Sequence, residues 1–146
     1  MSANAAVDVV ARLKVIRARA ATVAPRAAVT AMSLTALKAT QLELTRTSHP
    51  AGTPTPSRPG DPPSLVTGTL RRSIVATPAI SAGPARYLAT VGGTVIYARI
   101  QELGGTAGRG SVLPARPYLR PATEKLASSG TLTAVAAKAW TAALGI

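Results

Sequence analysis

Between positions 114 and 121 this chain sets three prolines, Pro114, Pro117 and Pro121, around Ala115-Arg116 and Tyr118-Leu119-Arg120. Proline holds φ at about −65° and has no amide proton to donate. A stretch so built cannot run through a helix interior or a central strand. It must follow one stiff, extended path and then open a helix, where proline is tolerated in the first turn. The glycines of residues 104–110 just before it read as turn glycines with positive φ. A fixed path of this kind suits the assembly of surfaces better than it suits catalysis.

Composition limits what the rest can do. The chain has 146 residues, which suits a single domain, 1–146, with one modest core. It has no cysteine, so disulfides and thiolate metal sites are excluded. It has no phenylalanine, one tryptophan and three tyrosines, so its core must come from alanine, valine, leucine and isoleucine and buries little area per residue. Neighbouring copies would stabilise so lightly packed a domain, and oligomerisation is expected. The formal charge of +12 points to acidic protein partners, nucleic acid or an anionic surface. No apolar run approaches the roughly 18 to 20 residues of a membrane span, so no membrane partner is expected. The N-terminus has an early acidic residue, Asp8, and no apolar block, unlike a secretory signal.

The pattern along the chain predicts helices over most of 5–47. In the first, residues 5–24, Val9, Leu13, Ile16, Ala20 and Val23 recur at helical spacing with Arg12, Arg17 and Arg19 off the stripe. Asp8 is expected in its first turn. Pro25 either kinks the chain or opens the second helix, 26–46. Residues 49–63 hold six prolines and predict an exposed loop. That loop reads either as an arm reaching a neighbouring subunit or as a tolerated insertion. Residues 70–113 predict a small antiparallel sheet of about three to five strands, with a strand through Ile74 and Ile80 placed at an edge by Pro78. The β-rich runs 86–91 and 94–100 around Gly92-Gly93 predict a hairpin. Residues 119–144 predict a C-terminal helical region, interrupted near Ser128-Ser129-Gly130 with Ser129 or Thr131 as the cap. The fold class is therefore α+β.

Catalytic material is scarce. The five acidic residues, Asp8, Glu43, Asp61, Glu102 and Glu124, are scattered along the chain, and the single histidine, His49, lies in the proline loop. No nucleophile elbow is present, and the glycines of 104–110 lack the spacing, lysine and hydroxyl of a phosphate loop. The expectation is no enzyme, no catalytic, cofactor-binding or metal-ligating residues, and no cofactor. No base-reading module is visible either, which leaves non-specific contact with DNA through the basic charge.

Two segments carry a resemblance. One runs from Pro63 through Thr67-Gly68 to Leu70-Arg71-Arg72-Ser73-Ile74. The other holds Tyr97-Ala98, Glu102-Leu103-Gly104-Gly105-Thr106 and Ala115-Arg116-Pro117-Tyr118-Leu119-Arg120-Pro121-Ala122. In order and spacing they resemble the virion-morphogenesis proteins of long-tailed bacteriophages known as minor tail components, tail-completion or head–tail joining proteins. In that family a helical region precedes the Thr-Gly-x-Leu step, and an aromatic Arg-Pro-Ala box opens the last helix. The resemblance implies a structural protein of the virion neck, a homo-oligomeric ring, sixfold, between a head-side connector or stopper and the tail terminator or tail tube. A tail-terminator ring is the nearest alternative, and a non-specific DNA-binding protein the next. Interface residues implied are Tyr97, Glu102, Arg116, Tyr118, Arg120, Arg71 and Arg72. For Glu102 the residues leave three roles open: acceptor of exposed backbone amides, partner of Arg116 or Arg120, or solvated charge. Tyr97 and Tyr118 read as core or rim aromatics.

Overall fold

The structure, a computed structural model, describes residues 3–52 and 57–145, with side chains from Asp8 onward. It is mixed α+β, with helices at both ends and short antiparallel strand pairs between them. The chain divides into two compact units.

The first unit comprises Met1–Met32, Pro78–Ala89 and Leu132–Ile146. Its helix α1 (Ala3–Ala21) is rich in alanine and in unbranched basic residues, all good helix formers. Helix α1 starts earlier than the sequence predicts, so Asp8 lies beyond the first turn and reaches Arg12 at 3.7 Å. The helix ends at Thr22, whose amide and hydroxyl donate to the carbonyls of Arg19 and Ala18. Helix α2 (Val23–Glu43) then begins with Pro25 in its first turn, where a missing N–H costs nothing. The unit also holds a hairpin of β2 (Ile80–Gly83) and β3 (Arg86–Leu88), and helix α6 (Thr131–Leu144). Arg19 Nη1 donates to the Leu144 carbonyl at 3.3 Å and so satisfies one open end of α6. The buried apolar residues of this unit are all small, Ala24, Pro25, Ala28 and Ala79.

The second unit, Ser33–Thr77 and Thr90–Thr131, contains the only cluster of large buried side chains among the described residues. Leu44, Ile74 and Tyr118 form its centre, with Leu37, Leu70, Val91 and Leu119 packed around them. Helix α3 (Thr69–Ser73) leads into β1 (Ile74–Ala76), which pairs with β4 (Val91–Gly93) in the register Ile74 to Gly93. Helix α4 (Ala98–Leu103), the short pair β5 (Gly105–Thr106) and β6 (Val112–Leu113), and helix α5 (Leu119–Ser128) complete it. Gly130, at φ 68°, breaks α5 from α6, and Ser129 Oγ accepts the Thr131 amide at 3.4 Å, as the sequence predicts for a cap there.

The strand plan differs from the expected one in two places. The strand expected through Ile74 and Ile80 is cut at Pro78 into β1 and β2, since proline cannot donate to a ladder. The hairpin expected around Gly92-Gly93 does not form. These glycines lie in β4, and the last three residues of the expected second run, 98–100, belong to the helix α4. Gly93 is needed there for closeness: a Cβ on it would stand 2.7 Å from the Ala98 Cβ and 3.3 Å from the Tyr118 hydroxyl. The hairpin that does form turns at Pro84-Ala85, with Ala85 at φ 54°.

Helices α2 and α5 are tied by a buried carboxylate that sequence reasoning did not single out. Glu43 has a side chain only 6% exposed and binds Lys125 Nζ at 2.8 Å and Arg46 Nη1 at 2.6 Å. Burial pushes its carboxyl up, but the hydrogen bonds and charges of Lys125 and Arg46 outweigh that, and the group sits below the usual carboxylate range. A depressed carboxyl stabilises the fold above its unfolded value of 4.5 and loses that contribution as pH falls through the folded value. We therefore expect an acid loss of stability below about pH 4.5 that Glu43→Gln largely removes, read from urea midpoints across the acid range. Equal acid slopes in the two proteins would contradict this role.

Candidate functional site: the elbow ahead of α5

The first four amides of a helix lack intrahelical partners and need other acceptors. In α5 these belong to Tyr118, Leu119, Arg120 and residue 121. Glu102, at the end of α4, takes three of them: its Oε2 accepts from the Tyr118 and Leu119 amides at 2.7 and 2.9 Å, and its Oε1 from the Arg120 amide at 2.9 Å. The fourth position is Pro121, which has no amide proton. The start of α5 is thus fully satisfied by one carboxylate from another helix, with its negative charge at the positive end of the helix dipole. Of the roles left open for Glu102, the structure adopts the backbone-amide acceptor.

The path into this cap is held on both sides. The Arg116 amide donates to the Gln101 carbonyl at 2.7 Å, and Arg116 Nε donates to the Ser57 carbonyl at 3.0 Å. The Gly60 amide donates to the Ala115 carbonyl at 2.9 Å. Ser57 Oγ in turn accepts the Ser64 amide at 2.7 Å. Residues 57–63 of the proline loop are therefore fastened to the elbow of their own chain through Ser57 and Gly60; residues 53–56 of the expected arm lie outside the described residues.

Gly104 makes the approach possible. It ends α4 at φ 69° and ψ −175°, a region open essentially to glycine alone. A Cβ there would lie 2.7 Å from the Ala115 amide nitrogen and 3.0 Å from the Leu113 carbonyl oxygen, both rigid backbone. Gly104→Ala is expected to cost about 2 to 3 kcal/mol from backbone strain and overlap together, checked by chemical denaturation. A neutral result would mean that the elbow yields easily.

The residues implied for the interface separate into two groups. Glu102, Arg116 and Tyr118 are brought together and look inward. Tyr118 is wholly buried, and its hydroxyl donates to the Ala98 carbonyl at 3.2 Å. This is the core role of the core-or-rim pair, so its ring is not a contact surface in this conformation. Tyr97, Arg120, Arg71 and Arg72 are exposed. Tyr97 caps α4 and, with Arg71, Leu65, Leu70 and Gln101, lines a surface cavity of about 200 Å³. Arg120 pairs along α5 with Glu124 at 2.9 Å rather than with Glu102. Arg72 reaches back towards Gly68 on the loop before α3.

Among the described residues no group of three or more histidine, cysteine, aspartate or glutamate side chains is placed to hold a metal, and no helix is long and apolar enough to cross a membrane. Comparison with protein-family profiles, curated proteins and solved structures gives no match.

Proposed function

We propose that this chain is a structural protein of a bacteriophage neck, a homo-oligomeric, sixfold ring that joins the head-side connector to the tail and works without turnover. The observation that carries the reading is the three-amide clasp of Glu102 on the start of α5. It links two parts of the second segment that carries the family resemblance, Glu102-Leu103-Gly104 and Arg116-Pro117-Tyr118-Leu119-Arg120-Pro121-Ala122. Their joint presence has a mechanical purpose: the carboxylate and the prolines together fix the direction in which α5 leaves the elbow.

The surface supports an assembled state. Ile96 is 98% exposed, Val112 78% and Leu103 65%, all on segments beside the elbow. Apolar side chains this open to water are stabilised when a neighbouring copy covers them. In the assembled particle these side chains hold neighbouring copies, and the exposed arginines meet acidic neighbours.

Native mass spectrometry of the purified chain and electron microscopy of purified particles test the proposal. A closed ring located between capsid and tail is expected; a monomer absent from particles would end it. A phage lacking the gene is expected to make tails of normal length that fail to join heads, whereas over-long tails would identify a terminator.

A further inference from the structure

We propose that the β1/β4 ribbon is the seam between copies: the open edge of β4 in one copy pairs antiparallel with the open edge of β1 in the next, so that one sheet runs on from copy to copy. This seam presupposes the ring reading and names the surface that closes it. The hydrogen bonds at the two ends of the ribbon fix which groups face outward. The Thr94 amide donates to the Ser73 carbonyl at 3.1 Å, and the Thr77 amide to the Thr90 carbonyl at 2.8 Å. In an antiparallel pair, bonded and non-bonded positions alternate. Val75 and Gly92 are therefore bonded to each other, while Ile74, Ala76, Val91 and Gly93 turn their amides and carbonyls away from the ribbon. The Ile74 amide is spent on the Arg71 carbonyl. No loop, cap or side-chain hydrogen bond among the described residues engages the rest. With Val91 opposite Ala76 of the next copy, and Gly93 opposite its Ile74, three backbone hydrogen bonds form in one register.

Free strand edges are normally blunted by charge, proline, a bulge or extreme shortness. The other two ribbons carry these devices. The β2/β3 pair has a bulge between Ser81 and Gly83, Pro84 in its turn and exposed Arg86, and β5 and β6 are two residues each, with Pro114 next in the chain. The β1/β4 ribbon has none of them: Ile74-Val75-Ala76 and Val91-Gly92-Gly93 are uncharged, in unbroken register and free of proline. The chain also leaves room there, since a surface cavity of about 270 Å³ is lined in part by Gly92, Gly93 and the exposed Leu103. Gly92 itself has no use inside the chain. Its φ is not positive, and a Cβ on it would meet nothing within 4 Å. Glycine weakens a strand, and it is kept where another backbone approaches closely. In the proposed register Gly92 faces Val75 of the next copy, which is 43% exposed. Symmetry selects β1 as the occupant over a second β4. A β4-to-β4 contact is isologous and closes at two copies, whereas a ring needs a head-to-tail contact.

The chain has no cysteine, so single introduced cysteines report contacts between copies without interference. Full-length Val75→Cys and Gly92→Cys chains, mixed and oxidised, are expected to link to each other, because the seam sets these positions opposite one another as a non-bonded pair with Cα atoms about 4.5 Å apart. Neither variant alone is expected to link to itself. Ala76→Pro removes an amide that has no partner in its own chain, as an edge strand tolerates. Its circular dichroism is expected to be unchanged, while the concentration for half assembly, read by native mass spectrometry, rises at least about tenfold. The cross-links decide without this variant should it fail to fold. Gly92→Cys chains that link to one another mark twofold β4 pairing and overturn the proposal. A ring of the unmodified chain whose mixed variants give no link, or a folded Ala76→Pro chain that assembles as before, overturns the seam and leaves the ring reading standing. A chain that is monomeric at every concentration refutes the ring reading and the seam with it.

Discussion

Glu102→Ala is expected to lower the stability of the chain by about 3 kcal/mol. Three amides lose a charged acceptor at once, and a hydrogen bond to a charged group contributes about 1.5 to 3 kcal/mol. The total is smaller than three times that value because the Glu102 side chain is only half-buried, so water reaches part of the vacated site. Glu102→Gln keeps a single acceptor oxygen and turns an NH₂ towards the amides, so about 2 kcal/mol is expected. Urea unfolding monitored by circular dichroism measures both, and hydrogen exchange at residues 118–120 localises the effect. A loss below about 0.5 kcal/mol for Glu102→Ala would mean that the clasp is incidental and that the elbow is stiffened by its prolines alone. In the ring proposal the same substitution also reduces assembly, because the exit direction of α5 is no longer fixed.

Tyr118→Ala is expected to cost more, about 4 kcal/mol, the range for emptying a fully buried aromatic site. It leaves Leu44 and Ile74 facing a cavity at the centre of their unit. Tyr118→Phe keeps the volume and loses only the bond to the Ala98 carbonyl, at about 1 kcal/mol. The two together separate packing from hydrogen bonding. Burial pushes the Tyr118 phenol up to about 12 from 10.0, with smaller contributions from the Glu102 charge and from Tyr97. The fold thus prefers the protonated phenol. Its contribution is whole below pH 10.0 and is lost as pH rises towards about 12. Ultraviolet titration of the folded chain should show a tyrosine ionising near 12 that is absent in Tyr118→Phe. A phenolate forming near 10.0 at this position would place the ring in water.

Much of the helical plan was legible in the sequence because its signals are local. Apolar spacing marks α1, Pro25 in a first turn marks the start of α2, and Ser129-Gly130 marks the break before α6. The strands were less legible. Gly92-Gly93 carries a strong hairpin signal, yet Gly93 is used to admit Ala98 and the Tyr118 hydroxyl beside β4. Sequence can mark a glycine as permissive; only packing shows whether a turn or a close approach needs it. The burial of Glu43 escaped for the same reason: its partner Lys125 is 82 residues away, and no local pattern couples them.

The sequence by itself determined that residues 114–121 are stiff and lead into a helix, that large buried side chains would be few, and that the surface would be strongly basic. These follow from proline geometry, residue volume and charge, which act wherever the chain happens to run. Only the tertiary structure decided that Glu102 binds amides rather than arginines, that Tyr118 turns inward while Tyr97 stays exposed, and that α1 keeps its apolar stripe uncovered. Each of these depends on which groups the fold brings within about 3 Å, since hydrogen bonding and exclusion of water act at contact distance.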